Sequence, residues 1–117
     1  MCLPIQYALT YPNRAQSERV QTNLAKFGSL TFEEPDEERF PSLTLARRAG
    51  EVGGTLPAVL NAANEVAVEA FVSRRINFPQ ITETVRRTME RHQLVPHPTL
   101  DQILEADAWA RHEAAAG

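Results

Sequence analysis

The polar residues best suited to chemistry form one short cluster, Asn61, Asn64 and Glu65, within the stretch LNAANE. At 100° per residue, the three lie within about one turn on the same face of a helix. Two roles fit them: a structural cluster that satisfies backbone groups of a neighbouring loop, or part of an active-site wall completed by another domain. One carboxylate and two amides are a poor ligand set for Mg²⁺ or Zn²⁺, so we expect no metal site from these residues alone.

The histidines and glycines do not form a second candidate site. The three histidines lack metal-ligand spacing, and His92 falls on the apolar stripe of its helix, which predicts a core histidine. The glycines of residues 50–54 lack the GxGxxG spacing and follow a helix, whereas a dinucleotide site needs a preceding strand. They predict the end of a helix. The sequence therefore predicts no catalytic residue, no cofactor-binding residue and no metal ligand in this chain.

Two residues near the end of the chain have simpler interpretations. Asp107 precedes Arg111 by four residues, which predicts an ion pair along one helix. It shares a helical face with Leu100 and Ile103. Trp109 falls on the opposite, more polar face, where it either marks a contact surface or lies flat on the linker of the same chain.

Helical signals dominate from residue 40 onward. Prolines in first turns, Gly53-Gly54 and a Thr99/Gln102 capping box predict four helices, over about 41–52, 56–75, 79–93 and 99–115. The second of these carries a broad apolar face, and its opposite face combines the Asn61, Asn64 and Glu65 cluster with two valines. Apolar residues on both sides predict a central helix whose second face is also partly buried.

The first 40 residues are irregular. A short helix is expected from Pro4 to Thr10, and the alternation in Ser29–Glu33 predicts a short strand. The expected fold is mostly α, a four-helix bundle preceded by an extended linker with a short strand. Residues 1–40 form the linker segment and residues 41–117 the C-terminal helical bundle domain.

Composition excludes several classes of protein. The chain has 117 residues, 43% of them hydrophobic and 23% charged, with a formal charge of −3 and no basic stripe, which argues against a nucleic-acid partner. No apolar run approaches a membrane span, and the short, interrupted run at the start is not a signal peptide. A single cysteine, Cys2, fits a reducing cytoplasmic setting.

Three stretches together resemble one enzyme family. They are PIQYAL followed by YPNR at residues 4–14, LTF with Pro35-Asp36 and Phe40-Pro41, and LNAANE at residues 60–65. In this order they are similar to the C-terminal region of 1-deoxy-D-xylulose 5-phosphate reductoisomerase, over essentially the whole chain.

The resemblance implies an enzyme of the non-mevalonate isoprenoid pathway that forms 2-C-methyl-D-erythritol 4-phosphate, using NADPH and a divalent cation, Mg²⁺ or Mn²⁺. It implies that the NADPH and catalytic domains are this chain's partners, that the full-length enzyme is a homodimer, and that the chain alone is inactive. It also places Met1 at the edge of the substrate pocket. In a full-length enzyme of this kind, we expect the mixed apolar and polar face with the domain-docking cluster Asn61, Asn64 and Glu65 to dock on the catalytic domain or on the linker. The alternative is a free-standing helical protein-interaction module.

Overall fold

The computed structural model describes residues 2–18 and 23–117, and these contain five α-helices and no β-strand. The helices are α1 (Cys2–Thr10), α2 (Ser42–Val52), α3 (Leu56–Val72), α4 (Phe78–Arg91) and α5 (Leu100–Ala116), with one 3₁₀ turn at Leu24–Lys26. The chain divides into two compact units between Glu34 and Pro35. Within the described residues, no helix combines the length and apolar character needed to cross a membrane.

The first unit is built on α1, which ends before Pro12 as predicted. The residues that follow fold back on the helix. The side-chain amide of Gln6 donates a hydrogen bond to the carbonyl of Ala15 at 2.6 Å. The guanidinium of Arg14 lies 4.8 Å from the centre of the Tyr7 ring, a cation–π contact. The PIQYAL and YPNR stretches therefore pack against each other.

The predicted strand over residues 29–33 is not formed. The segment has no ladder partner among the described residues, and Leu30 and Phe32 are 62% and 85% exposed. Alternation of apolar and polar residues indicates two different faces, but a strand forms only where a second strand supplies hydrogen bonds. Two further apolar side chains are exposed as well: Leu24, in the 3₁₀ turn, and Phe27, directly after it.

In the second unit α3 is the central helix, as predicted, and packs against α2, α4 and α5. The helix α2 packs extensively on α3 alone, because it is short and buries only Leu45 and Ala49. The other three helices therefore surround α3 less evenly than in the predicted four-helix bundle. Leucine, valine, methionine and alanine side chains make up the core: Leu45, Ala49, Leu56, Val59, Ala62, Ala63, Val85, Met89, Ala106, Ala110 and Ala114.

The buried face of α5 consists of alanines. Ala106, Ala110 and Ala114 are buried, whereas Leu100 and Leu104 are exposed. The buried residues of α3, which packs against α5, also include several alanines. Small side chains on both helices allow their backbones to approach closely.

The helix ends follow the sequence signals. Gly53 and Gly54 have φ of +67° and +59° and end α2, and the predicted Thr99/Gln102 capping box opens α5. Asn77 and Gln80 form a second, unpredicted capping box at α4. A Cβ at Gly54 would lie 2.4 Å from the carbonyl oxygen of Val95, so this glycine also permits a close backbone approach.

Candidate functional site on the central helix

The polar cluster on α3 is linked to α5. The Asn61 side-chain amide donates to Glu65 Oε1 at 3.1 Å, and Arg111 Nη2 on α5 donates to Glu65 Oε2 at 2.7 Å. Arg111 Nε also donates to Asp107 Oδ2 at 2.7 Å, which confirms the predicted i,i+4 pair. One guanidinium thus bridges carboxylates on two helices.

These contacts change the proton affinities of the groups involved. The hydrogen bond from Arg111, followed by that from Asn61, holds the pKa of the Glu65 carboxyl below its ordinary value. Hydrogen bonds to Asp107 and Glu65 raise the pKa of Arg111. Glu65 is therefore ionised at neutral pH, and both of its oxygens are engaged by protein donors.

Asn64 lies apart from this network. It lines a groove between α2, α3 and α4, with a volume of about 380 Å³, that we call the α2–α3–α4 groove. Within the described residues, no hydrogen bond of the Asn64 side chain is found. The groove is lined mainly by apolar side chains, the largest being Leu45, Leu60, Val68, Phe78, Ile81 and Val85.

The polar face of α3 is open in this chain. Asn61, Asn64, Glu65 and Val68 are all exposed, so the predicted partial burial of this face is wrong for the chain as it stands. The interpretation as a cluster that satisfies a neighbouring loop is not supported either, since the partner of Glu65 across the helices is a side chain of α5. Met1 lies outside the described residues.

The histidine predicted for the core is half-buried at the end of α4. His92 Nε2 lies 2.7 Å from the hydroxyl oxygen of Thr55, which is fully buried at the start of α3. The same hydroxyl oxygen accepts a hydrogen bond from the backbone N–H of Val95 at 3.1 Å. The His92 ring also lies 5.2 Å from that of Trp109. Burial lowers the pKa of His92, and these contacts join the start of α3 to the segment between α4 and α5.

The residues present do not fit a divalent cation. Both oxygens of Glu65 are engaged by Asn61 and Arg111, and the positive charge of Arg111 opposes a metal ion beside it. Among the described residues there is no group of three His, Cys, Asp or Glu side chains that could hold a metal ion. No chemical step is assigned to these residues.

Two contacts in these arrangements join residues that are far apart in the chain. The spacing of Arg111 predicts its pair with Asp107, but its second partner, Glu65, is 46 residues away. Thr55 occupies the N-cap position of α3, but its hydroxyl does not cap the helix and instead accepts the N–H of Val95. Neither contact follows from residues that are neighbours in the sequence.

Comparison with known sequences identifies relatives along nearly the whole chain. The family profile "DXP reductoisomerase C-terminal domain" matches residues 1–113. The 1-deoxy-D-xylulose 5-phosphate reductoisomerase of Desulforamulus reducens is 57% identical over 114 residues, which cover 97% of this chain and 30% of that enzyme. This chain therefore spans about 30% of the length of the curated relatives it matches.

Solved structures give the same result for the fold. The Zymomonas mobilis reductoisomerase, in complex with NADPH, matches 97% of this chain and 30% of its own with a TM-score of 0.86 and 38% identity. A DOX-P reductoisomerase in complex with NADPH, fosmidomycin and magnesium matches the same shares with a TM-score of 0.82 and 35% identity.

These matches do not favour the free-standing interaction module, because the matched region forms part of a larger enzyme in each of these relatives. Profile, sequence identity and fold agree over the same residues, and the chain belongs to the DXP reductoisomerase C-terminal domain family.

Proposed function

We propose that this chain serves as the C-terminal domain of an NADPH-dependent reductoisomerase that converts 1-deoxy-D-xylulose 5-phosphate to 2-C-methyl-D-erythritol 4-phosphate. The observation that carries the proposal is the 57% identity to a reductoisomerase across 97% of this chain. The NADPH and the divalent cation, Mg²⁺ or Mn²⁺, bind to the other domains, which are this chain's partners. Its role is to support the catalytic domain of a homodimeric, cytoplasmic enzyme.

Within this chain, residues 1–40 act as the linker segment and residues 41–117 as the helical domain. Residues 29–33 become a strand only where another part of the enzyme supplies the pairing edge. The open face with Asn61, Asn64 and Glu65 docks on another domain. This docking role is supported by the exposure of the polar face in the chain itself.

The experiment compares the chain with a chimera. The chimera carries these 117 residues in place of the matching 114 residues of the Desulforamulus reducens enzyme. NADPH oxidation is followed with deoxyxylulose phosphate and Mg²⁺. We expect turnover from the chimera and none above the blank from the chain alone, because hydride transfer requires cofactor, metal and substrate to be held together. Turnover by the chain alone, or a folded chimera without turnover, would overturn the proposal.

The docking role of the cluster has its own test in the same chimera. Asn64→Leu removes an exposed amide without filling space in the chain's own core. We expect a lower melting temperature or slower turnover of the chimera, together with an unchanged melting temperature of the isolated chain. If the chimera keeps both its stability and its turnover, Asn64 has no part in docking.

A further inference from the structure

Among residues 35–117, the α2–α3–α4 groove is the feature whose lining residues indicate what kind of group binds there. Its volume is about 380 Å³, and the described residues that line it include none with a charged side chain. A phosphate, a nucleotide or a metal ion needs charged or densely polar ligands, which these walls do not offer. The groove therefore suits an uncharged, apolar group.

The rim of the groove carries a polar side chain that any bound group would have to match. Asn64 is exposed at its edge and, within the described residues, its side-chain amide has no hydrogen-bond partner. An amide side chain can donate and accept at once, as a peptide backbone does. An apolar side chain carried on a polypeptide meets both demands, since the side chain fills the groove and the backbone pairs with Asn64.

The groove is also the centre of an exposed apolar patch. Val68 is 40% exposed and Phe78 is 65% exposed, and Phe78 contacts Phe71 edge to face with the ring centres 5.8 Å apart. Contiguous apolar surface of this kind marks interaction sites in soluble proteins. Hydrophobic side chains left open to water on α3 and α4 indicate a partner that covers them.

We propose that the occupant is an apolar side chain, with its flanking backbone, from the part of the reductoisomerase outside these 117 residues. This rests on the proposed function. About 70% of the relatives' length lies outside the matched region, so most of the enzyme is available to supply such a segment. A second copy fits less well, because symmetric pairing would set one concave groove against another.

The test measures thiol labelling at one residue of the groove and at one residue away from it. Val68 lines the groove, whereas Ala108 is exposed on α5, outside the groove and outside the open face of α3. Val68→Cys and Ala108→Cys are each made on a Cys2→Ser background, in the 117-residue chain and in the Desulforamulus reducens chimera. The rate of maleimide labelling at each site is read by peptide mass spectrometry.

We expect Val68→Cys to be labelled at least tenfold more slowly in the chimera than in the chain, and Ala108→Cys to differ by less than twofold. Equal rates for Val68→Cys in both proteins would overturn the proposal. Slow labelling in the chain alone that accelerates on dilution would identify a second copy as the occupant and would also overturn it.

Two controls separate the possible failures. Ala46→Cys places the thiol on the α2 wall of the same groove and replaces Val68→Cys if that variant does not fold. Turnover of each chimera is measured in parallel. An active chimera with an open groove refutes the groove occupant alone, whereas a folded chimera without turnover refutes the proposed function.

Discussion

The Thr55 hydroxyl oxygen and the Nε2 atom of His92 lie 2.7 Å apart, although the two residues are separated by 37 positions in the chain. The hydroxyl already accepts the N–H of Val95, so its own hydrogen is available for the imidazole. The arrangement that uses both the acceptor and the donor of the hydroxyl has Nε2 as the acceptor and the imidazole proton on Nδ1.

Replacing Thr55 by valine should destabilise the chain. The variant keeps the shape of the side chain but leaves the N–H of Val95 and Nε2 of His92 without their partner, at a cost of roughly 1–3 kcal/mol. Urea unfolding gives the free energy. Thr44→Val is the matched control, because Thr44 is exposed on α2 and its change should stay within about 0.5 kcal/mol. Equal effects of the two substitutions would contradict the buried role of Thr55.

Acid should weaken the fold through His92. Burial lowers the pKa of the folded-state imidazole below 6.5, so the unfolded chain binds the proton more strongly. Stability from this group is complete above about pH 6.5 and declines as the pH falls through the lower folded-state pKa. Unfolding free energies between pH 5 and pH 8 should show a shallower slope for His92→Gln. An unchanged slope in the His92→Gln variant would contradict the effect of burial on this imidazole.

Replacing Gly54 and Gly50 by alanine should change the stability of the chain in opposite directions. Gly54→Ala places a Cβ against the Val95 carbonyl in a left-handed conformation that costs about 1–2 kcal/mol before any clash. Gly50 lies inside α2 with open space around it, so Gly50→Ala should stabilise the chain by roughly 0.5–1 kcal/mol. Thermal unfolding of both variants tests this prediction. A stabilised Gly54→Ala variant would refute the close approach between Gly54 and the Val95 carbonyl.

Replacing a buried alanine of α5 by a larger side chain should destabilise the chain. Ala110 is fully buried, and Ala110→Leu overpacks the contact region at a cost of about 1–3 kcal/mol. Ala108 is exposed on the same helix, so Ala108→Leu should change stability by less than about 0.5 kcal/mol. Calorimetric melting temperatures of the pair test the close packing of α5, which would be wrong if both leucines were tolerated.

The proton affinity of Glu65 should depend on α5. In the folded chain its carboxyl should titrate below 4.5, because Arg111 and Asn61 donate to the ionised form. Arg111→Met should move the midpoint upward, toward 4.5. The carboxyl carbon signal in an NMR titration reports this directly, and identical midpoints in the two proteins would show that the cross-helix pair is absent in solution.

Local signals predicted the local features well. The proline, glycine and capping residues located every helix of residues 35–117 to within a few positions, and the Asp107–Arg111 pair follows from its spacing. The exposure of Asn64 and the pairing of Glu65 with Arg111 depend on which helices meet, and no local pattern encodes that. The strand over residues 29–33 failed for the same reason, because its pattern contains no information about a partner.

The uneven support of α3 has a consequence for local unfolding. Since α2 packs extensively on α3 alone, it has the fewest tertiary contacts to break and should detach before the other helices of this unit. Its amide hydrogens should then exchange with solvent sooner than those of α3. Because α2 also forms one wall of the groove, a segment bound there would have to leave before α2 could open, and slower exchange along α2 would report that the groove is filled.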